Sequence, residues 1–160
     1  FNGPDKPYKR EQVLENINQL IRRARQAGAP IFAVRHTGPA ESPIAAGSPF
    51  WQLLPTLEVD EELDCVLDKT RPSCFIGTGL AERLQEAQVN ELVIAGMKTQ
   101  YCVDTTCRAA GDLGFAAVLV EDAHTCMDTP LIGARTIIAH HNATLNGPFV
   151  RLATTADVTF

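Results

Sequence analysis

The sequence predicts one α/β domain, a parallel sheet with helices on both faces in three α-β-α layers. Three observations predict it. Helical and strand signals alternate along the chain. The strand signals, such as Leu92-Val93-Ile94, are continuous apolar runs, which is how strands buried on both faces read. At 160 residues, with 45% apolar and 21% charged, the chain is long enough for one hydrophobic core. No internal repeat, low-complexity segment or linker divides residues 1–160.

The elements follow in order. Residues 10–27 place Val13, Ile17, Leu20, Ile21 and Ala24 on one helical face, closed by Gly28 and Pro30. Residues 31–34 are a short apolar run, read as a buried strand. Residues 37–57 are rich in proline and glycine and form a long excursion, with one short helix expected at residues 50–54. Residues 65–67 are the middle of a second strand. Residues 79–88 read as a helix with Leu80, Leu84 and Ala87 inward, and residues 91–95 as a strand. A helix over 102–113 ends at Gly114, and residues 116–120 form another apolar strand. A helix over 131–145 ends near Gly147-Pro148, and residues 149–153 supply the last strand.

Charge and cysteine content exclude several classes. The net charge is −5 with no Lys/Arg run, which disfavours nucleic acid and anionic membranes as partners. No apolar run approaches the ~18 residues of a membrane span, and no signal-peptide pattern is visible. The five cysteines are odd in number and include no C-x-x-C, so reduced thiols in a cytoplasmic protein are expected rather than a zinc ribbon.

In parallel sheets ligands bind at the carboxyl ends of the strands. Here the strands lead into Arg35 and His36, into Asp68 and Lys69, into Gly96-Met97-Lys98-Thr99 and then Cys102, and into Glu121, Asp122 and His124. Several reactive groups therefore fall on one edge. The segment 92–102 reads as a buried strand, a polar turn and a helix starting near Cys102. A cysteine in a first helical turn faces unpaired backbone N–H groups and the positive dipole end, which favours the thiolate. Thr99 would cap that helix, and the same N–H groups could hold an oxyanion. The alternative is a buried structural cysteine.

The other groups keep two readings each. Lys69 could favour a nearby thiolate and pair with a carboxylate, or be a solvated strand end. His36 and His124 both follow strands, and either could form a dyad with Cys102. His140 and His141 are adjacent on a helix, cannot share a face, and read as an exposed or half-buried pair. A metal site needs several converging ligands, and the loop after His36 offers only Glu41, so no metal is expected. Cys65 is assigned to a strand and Cys107 to the core side of a helix. Cys74 and Cys126 are expected in accessible turns. Trp51 and Tyr101 could form a pocket or simply pack.

The run from Val93 through Ala95-Gly96-Met97-Lys98-Thr99-Gln100-Tyr101-Cys102 to Thr106 resembles the nucleophile motif of the isochorismatase-like cysteine hydrolases. Ala109 to Phe115 and Val120-Glu121-Asp122-Ala123 fit its continuation. Lys69 to Phe75, with Gly77-Thr78-Gly79-Leu80, resembles the lysine segment, and Val34-Arg35-His36 the ending of the second strand. The resemblance covers nearly all 160 residues. It implies a Rossmann-like fold with a six-stranded parallel sheet, and an Asp–Lys–Cys triad in which Cys102 is the nucleophile and Lys69 the lysine. It implies a cis peptide at Met97–Lys98 that turns the Lys98 N–H toward an oxyanion, beside the Cys102 N–H. It further implies hydrolysis of a small-molecule amide or ureido C–N bond through a thioester, without a cofactor, in a homo-oligomer (dimer or tetramer).

One departure stands out. The family's aspartate ends its first strand, just before a Phe-rich turn, and Phe1-Asn2-Gly3-Pro4 looks like that turn. The strand and its aspartate are thus expected to be missing from the sequence, leaving a slot in the sheet, and no catalysis is expected without them. Asp5 follows the turn and does not take that role. Two other readings stay open, an isochorismate-type vinyl-ether hydrolase and a catalytically silent binding protein. A nicotinamidase is disfavoured, because the family's metal-ligand pattern is not visible after His36.

Overall fold

The computed structural model describes Phe1 and residues 3–160; Asn2, part of the opening turn, lies outside the described residues. The order is α1 (Arg10–Ala27), β1 (Phe32–His36), β2 (Cys65–Lys69), α2 (Leu80–Glu86), β3 (Glu91–Met97), a π-helical turn (Thr99–Val103), α3 (Asp104–Asp112), β4 (Ala116–Thr125), α4 (Ala134–Leu145) and β5 (Arg151–Ala153). All strand pairs are parallel.

The helical face read in α1 is buried at Val13, Leu20, Ile21 and Ala24, with Ile17 half-buried. Gly28 ends the helix with φ at 72°, a left-handed cap that L side chains resist, and the Ala29 N–H returns to the Ala24 carbonyl at 2.9 Å. Strand β4 shows why its sequence is uniformly apolar. Ala117 and Leu119 join a cluster with Leu80 and Leu84 of α2, Cys107 and Ala110 of α3 and Leu145 of α4. Val118 and Val120 point the other way, onto Leu20 of α1. Successive side chains alternate faces, so a strand covered on both sides must be apolar throughout.

The sheet differs from a single continuous one. Strands β1 and β2 pair with each other, β3, β4 and β5 form a second sheet, and β1 and β3 do not pair among the described residues. Accordingly β1 is half-buried along its length, whereas Val118, Leu119 and Val120 of β4 are closed to solvent. The register of β3 against β4 also slips. Ile94 faces Leu119 and Gly96 faces His124, so β4 bulges by several residues. Gly96 has φ at 123°, outside the range L side chains favour.

The short helix expected at residues 50–54 does not form; the segment is a series of turns. Proline and glycine density there favours turns, and the excursion is instead tied down at its end by α1. Asn18, buried in the middle of that helix, donates to the Thr56 carbonyl at 2.8 Å and accepts the Glu58 N–H at 3.0 Å. Asp122 also has a structural task. Its carboxylate accepts the N–H and hydroxyl of Thr155, each at 2.8 Å, so it holds the carboxyl-terminal segment rather than facing the strand-end site. No described helix is long and apolar enough to cross a membrane.

Candidate active site at the strand ends

The turn that carries Cys102 is built differently from the sequence reading. The peptide Met97–Lys98 is cis, and the helical segment begins at Thr99, three residues ahead of Cys102. The Lys98 carbonyl receives the N–H groups of Tyr101 at 3.1 Å and Val103 at 3.3 Å, passing over that of Cys102. Thr99 is not a cap. Its hydroxyl is fully buried and bonds Nδ1 of His124 at 2.9 Å, while Lys98 takes the cap position with no side-chain cap bond. Polar partners within the core outcompete the local capping bond because an unmade buried hydrogen bond is costly.

Lys69 is 3% exposed, so it is not the solvated strand end that its residue type suggested. Its ammonium lies 2.8 Å from the Arg71 carbonyl, 2.9 Å from that of Pro72, 3.1 Å from Sγ of Cys102 and 3.3 Å from Nδ1 of His36. Among the described residues no carboxylate forms an ion pair with Lys69. The parallel register sets His36 directly beside Lys69. Burial, and then the Lys69 charge, hold the His36 imidazole below its usual value. Because Lys69 donates to Nδ1, the ring proton is assigned to Nε2.

Neither histidine bonds Cys102 directly, so the possible Cys–His dyad is replaced by a Cys–Lys contact with His36 behind it. His124 is enclosed. Nδ1 faces the Thr99 hydroxyl and Nε2 faces Oδ1 of Asn142 at 2.8 Å, and burial lowers its pKa. Arg35 and Asp68 are one residue before His36 and Lys69, hence on the opposite sheet face. They pair at 2.8 Å, and Trp51 stacks on the Arg35 guanidinium 3.4 Å from its ring centre, with its indole N–H on the Thr37 hydroxyl at 2.8 Å. Trp51 thereby joins the Arg35 face and not the Lys69 cluster.

Tyr101 is 54% exposed and lines a groove of about 370 Å³ with Gln100, Ile132, Thr136, His140 and His141. His140 and His141 meet edge to face, and His141 bonds Asp104 at 3.0 Å. Asp104 was missed in the sequence. It accepts two bonds from Arg108, at 3.0 and 3.1 Å; partial burial raises its pKa, but Arg108 and His141 outweigh that and leave it below the usual carboxylate value. The i, i+4 spacing of Asp104 and Arg108 was the available signal.

The other thiols are less accessible than their turns suggested. Cys126 is fully buried and Cys74 half-buried, and burial pushes both thiols up. Cys107 is pushed up to about 12, chiefly by burial. All five cysteines are free. Among the described residues no three His, Cys, Asp or Glu side chains converge as metal ligands.

Comparison with known proteins places the chain in a family. Residues 1–156 match the model of the Isochorismatase domain. The chain is 33% identical over 129 residues to streptothricin hydrolase of Streptomyces noursei, a match covering 81% of this chain and 46% of that protein. This chain therefore spans less than half of that relative's length. Over 60 residues, 38% of this chain and 24% of the other, it is 40% identical to ureidoacrylate amidohydrolase of Variovorax paradoxus. The crystal structure of an isochorismatase from Pseudomonas putida superposes with a TM-score of 0.89 at 34% identity, covering 98% of this chain and 82% of that one.

Proposed function

Since this chain belongs to the isochorismatase family of hydrolases, we propose that it cleaves a small-molecule amide or ureido C–N bond with Cys102 as nucleophile. The observation that carries this reading is the buried Lys69 ammonium, 3.1 Å from Sγ of Cys102. A positive donor held against that sulfur stabilises its anion, the attacking species. The similarity to an amidohydrolase supports the choice of bond.

In the first step the Cys102 sulfur adds to the substrate carbonyl carbon, and the carbonyl electron pair moves onto oxygen. The backbone N–H groups of Lys98 and Cys102 are assigned to that oxyanion. Collapse breaks the C–N bond, and nitrogen leaves with a proton. Water then adds to the thioester, gives up a proton, and the C–S bond breaks to release the acid. The resemblance assigns the proton transfers to the triad carboxylate, a role that no described residue takes in this reading. Vinyl-ether hydrolysis would need no thiol, so a cysteine against an ammonium favours the acyl reaction.

The exposed Tyr101, Ile132 and Leu131, the last 93% exposed, support assembly with a second copy of the chain. The five free thiols suit a reducing compartment such as the cytoplasm.

The experiment is a hydrolysis screen of small amides and ureides with the full-length protein, followed by intact mass. A turned-over substrate should leave an acyl adduct on Cys102, and Cys102→Ala should abolish both adduct and turnover. Turnover that survives Cys102→Ala would refute the cysteine mechanism.

A further inference from the structure

We infer that Thr106 is a positioning residue of this site, whose hydroxyl fixes the turn after β2 so that the Lys69 ammonium stays against the Cys102 sulfur. The inference rests on the Cys102–Lys69 reading above and adds a residue to it.

The contacts close a ring. Sγ of Cys102 lies 3.1 Å from Nζ of Lys69, which donates to the Pro72 carbonyl at 2.9 Å and the Arg71 carbonyl at 2.8 Å. Two residues after Pro72, the Cys74 N–H donates to Oγ1 of Thr106 at 3.1 Å. Thr106 stands four residues after Cys102, about one turn along the helical segment that runs from the π-helical turn into α3. The ring thus returns to the helix it started from. The turn after β2 contributes carbonyls that hold the ammonium and an amide that holds the turn itself. A carboxylate that also meets Lys69 would leave the ring intact, because it replaces none of these hydrogen bonds.

Thr106 suits this task. It is 6% exposed, on the side of α3 that buries Cys107 and Ala110, so little water competes for its hydroxyl. Residues 70–78 belong to no helix or strand, and no ladder fixes them. Ser73 bonds the Phe75 N–H and Thr78 bonds the Cys74 carbonyl, both within the turn. Phe75 stacks on Phe115 at 6.0 Å, but an apolar contact is non-directional and sets no register. Without the Thr106 oxygen the half-buried Cys74 N–H must find another partner, and the carbonyls two and three residues back move with it. The ammonium they hold then shifts against the sulfur. Thr106 acts on Cys102 through Lys69, which a residue that merely fills the core would not do.

A double-mutant cycle on the full-length protein tests this, read as the rate of Cys102 alkylation by iodoacetamide at pH 7 with peptide mapping. Thr106→Val keeps the shape and loses the acceptor. It should slow Cys102 about three- to tenfold, the range for one lost hydrogen bond. Thr106→Ser should restore the parent rate within about twofold. In a Lys69→Met background Thr106→Val should add less than about twofold, because the route through the ammonium is already gone. Cys107, fully buried beside Thr106, should stay unmodified throughout, which separates positioning from an opening of α3. Where Thr106→Val fails to fold, Thr106→Ala carries the same expectation. An unchanged Cys102 rate in Thr106→Val, no rescue by serine, the same slowing with Lys69 absent, or early modification of Cys107 overturns the role of Thr106. Lys69→Met reacting at the parent rate overturns the Cys102–Lys69 reading itself, and the positioning role with it.

Discussion

His36 and His124 sit at the ends of strands β1 and β4 and read alike in the sequence, yet their surroundings differ in kind. Around His124 every polar atom has a fixed partner. Its two ring nitrogens meet Thr99 and Asn142, and it is 1% exposed. Around His36 the partners are shared, because Lys69 has more acceptors than hydrogens and one of those acceptors is the Cys102 sulfur. A closed polar chain rigidifies, whereas a donor with more acceptors than hydrogens can exchange between them. The first arrangement holds the base of the turn that carries Cys102, since Thr99 begins that turn; the second faces the Cys102 sulfur.

That difference is open to direct test. The largest effect is expected from His124→Leu, which strands the Thr99 hydroxyl and the Asn142 amide in the core. It should cost about 2–4 kcal/mol in urea unfolding, while His36→Phe should cost under about 1 kcal/mol. Equal costs would erase the distinction between the two sites. Next comes Lys69→Met, which removes the donor at Cys102. Alkylation of Cys102 by iodoacetamide at pH 7 should slow about ten- to a hundredfold, as a lost charge-assisted bond implies, with peptide mapping as the readout.

Thiol selectivity should follow burial. In the parent protein Cys102 is expected to react before Cys74 and Cys126, whose thiols burial pushes up, and Cys107, at about 12, last of all. Cys74 reacting as fast as Cys102 would remove the case for a special sulfur. The smallest effect concerns pH. Burial depresses His124 in the folded chain below the ~6.5 of an unfolded one. Below pH ~6.5 the unfolded chain binds a proton that the folded one does not, so stability falls as pH drops toward the folded value, by at most about 1.4 kcal/mol per pH unit. Above pH ~6.5 that contribution is complete. His36 is shifted in the same direction, chiefly by burial and then by Lys69. Thermal melts from pH 7 to pH 5 should flatten in His124→Leu, and an unchanged slope would remove this contribution.

Much of the framework was legible because it is periodic. The face of α1, the apolar run of β4 and the order of helices and strands follow from spacing alone, since burial on one or both faces forces those patterns. The site was legible only in outline. Cys102 and Lys69 both stood after strands in the sequence, and the structure joins them at 3.1 Å. Tyr101 and Trp51 had the same standing as pocket candidates. Tyr101 lines a groove, and Trp51 turned out to cover the Arg35–Asp68 pair.

The sequence by itself determined which residues are apolar, where the chain must turn, and which reactive groups arrive at one edge of the sheet. It could not determine how polar atoms pair across the core. Whether Thr99 caps a helix or bonds His124, and whether Lys69 is solvated or buried against a thiol, depends on contacts between residues 25 and 33 positions apart. Local propensity is silent at that range, because such pairs form only after the strands have set their register and water has been excluded from between them.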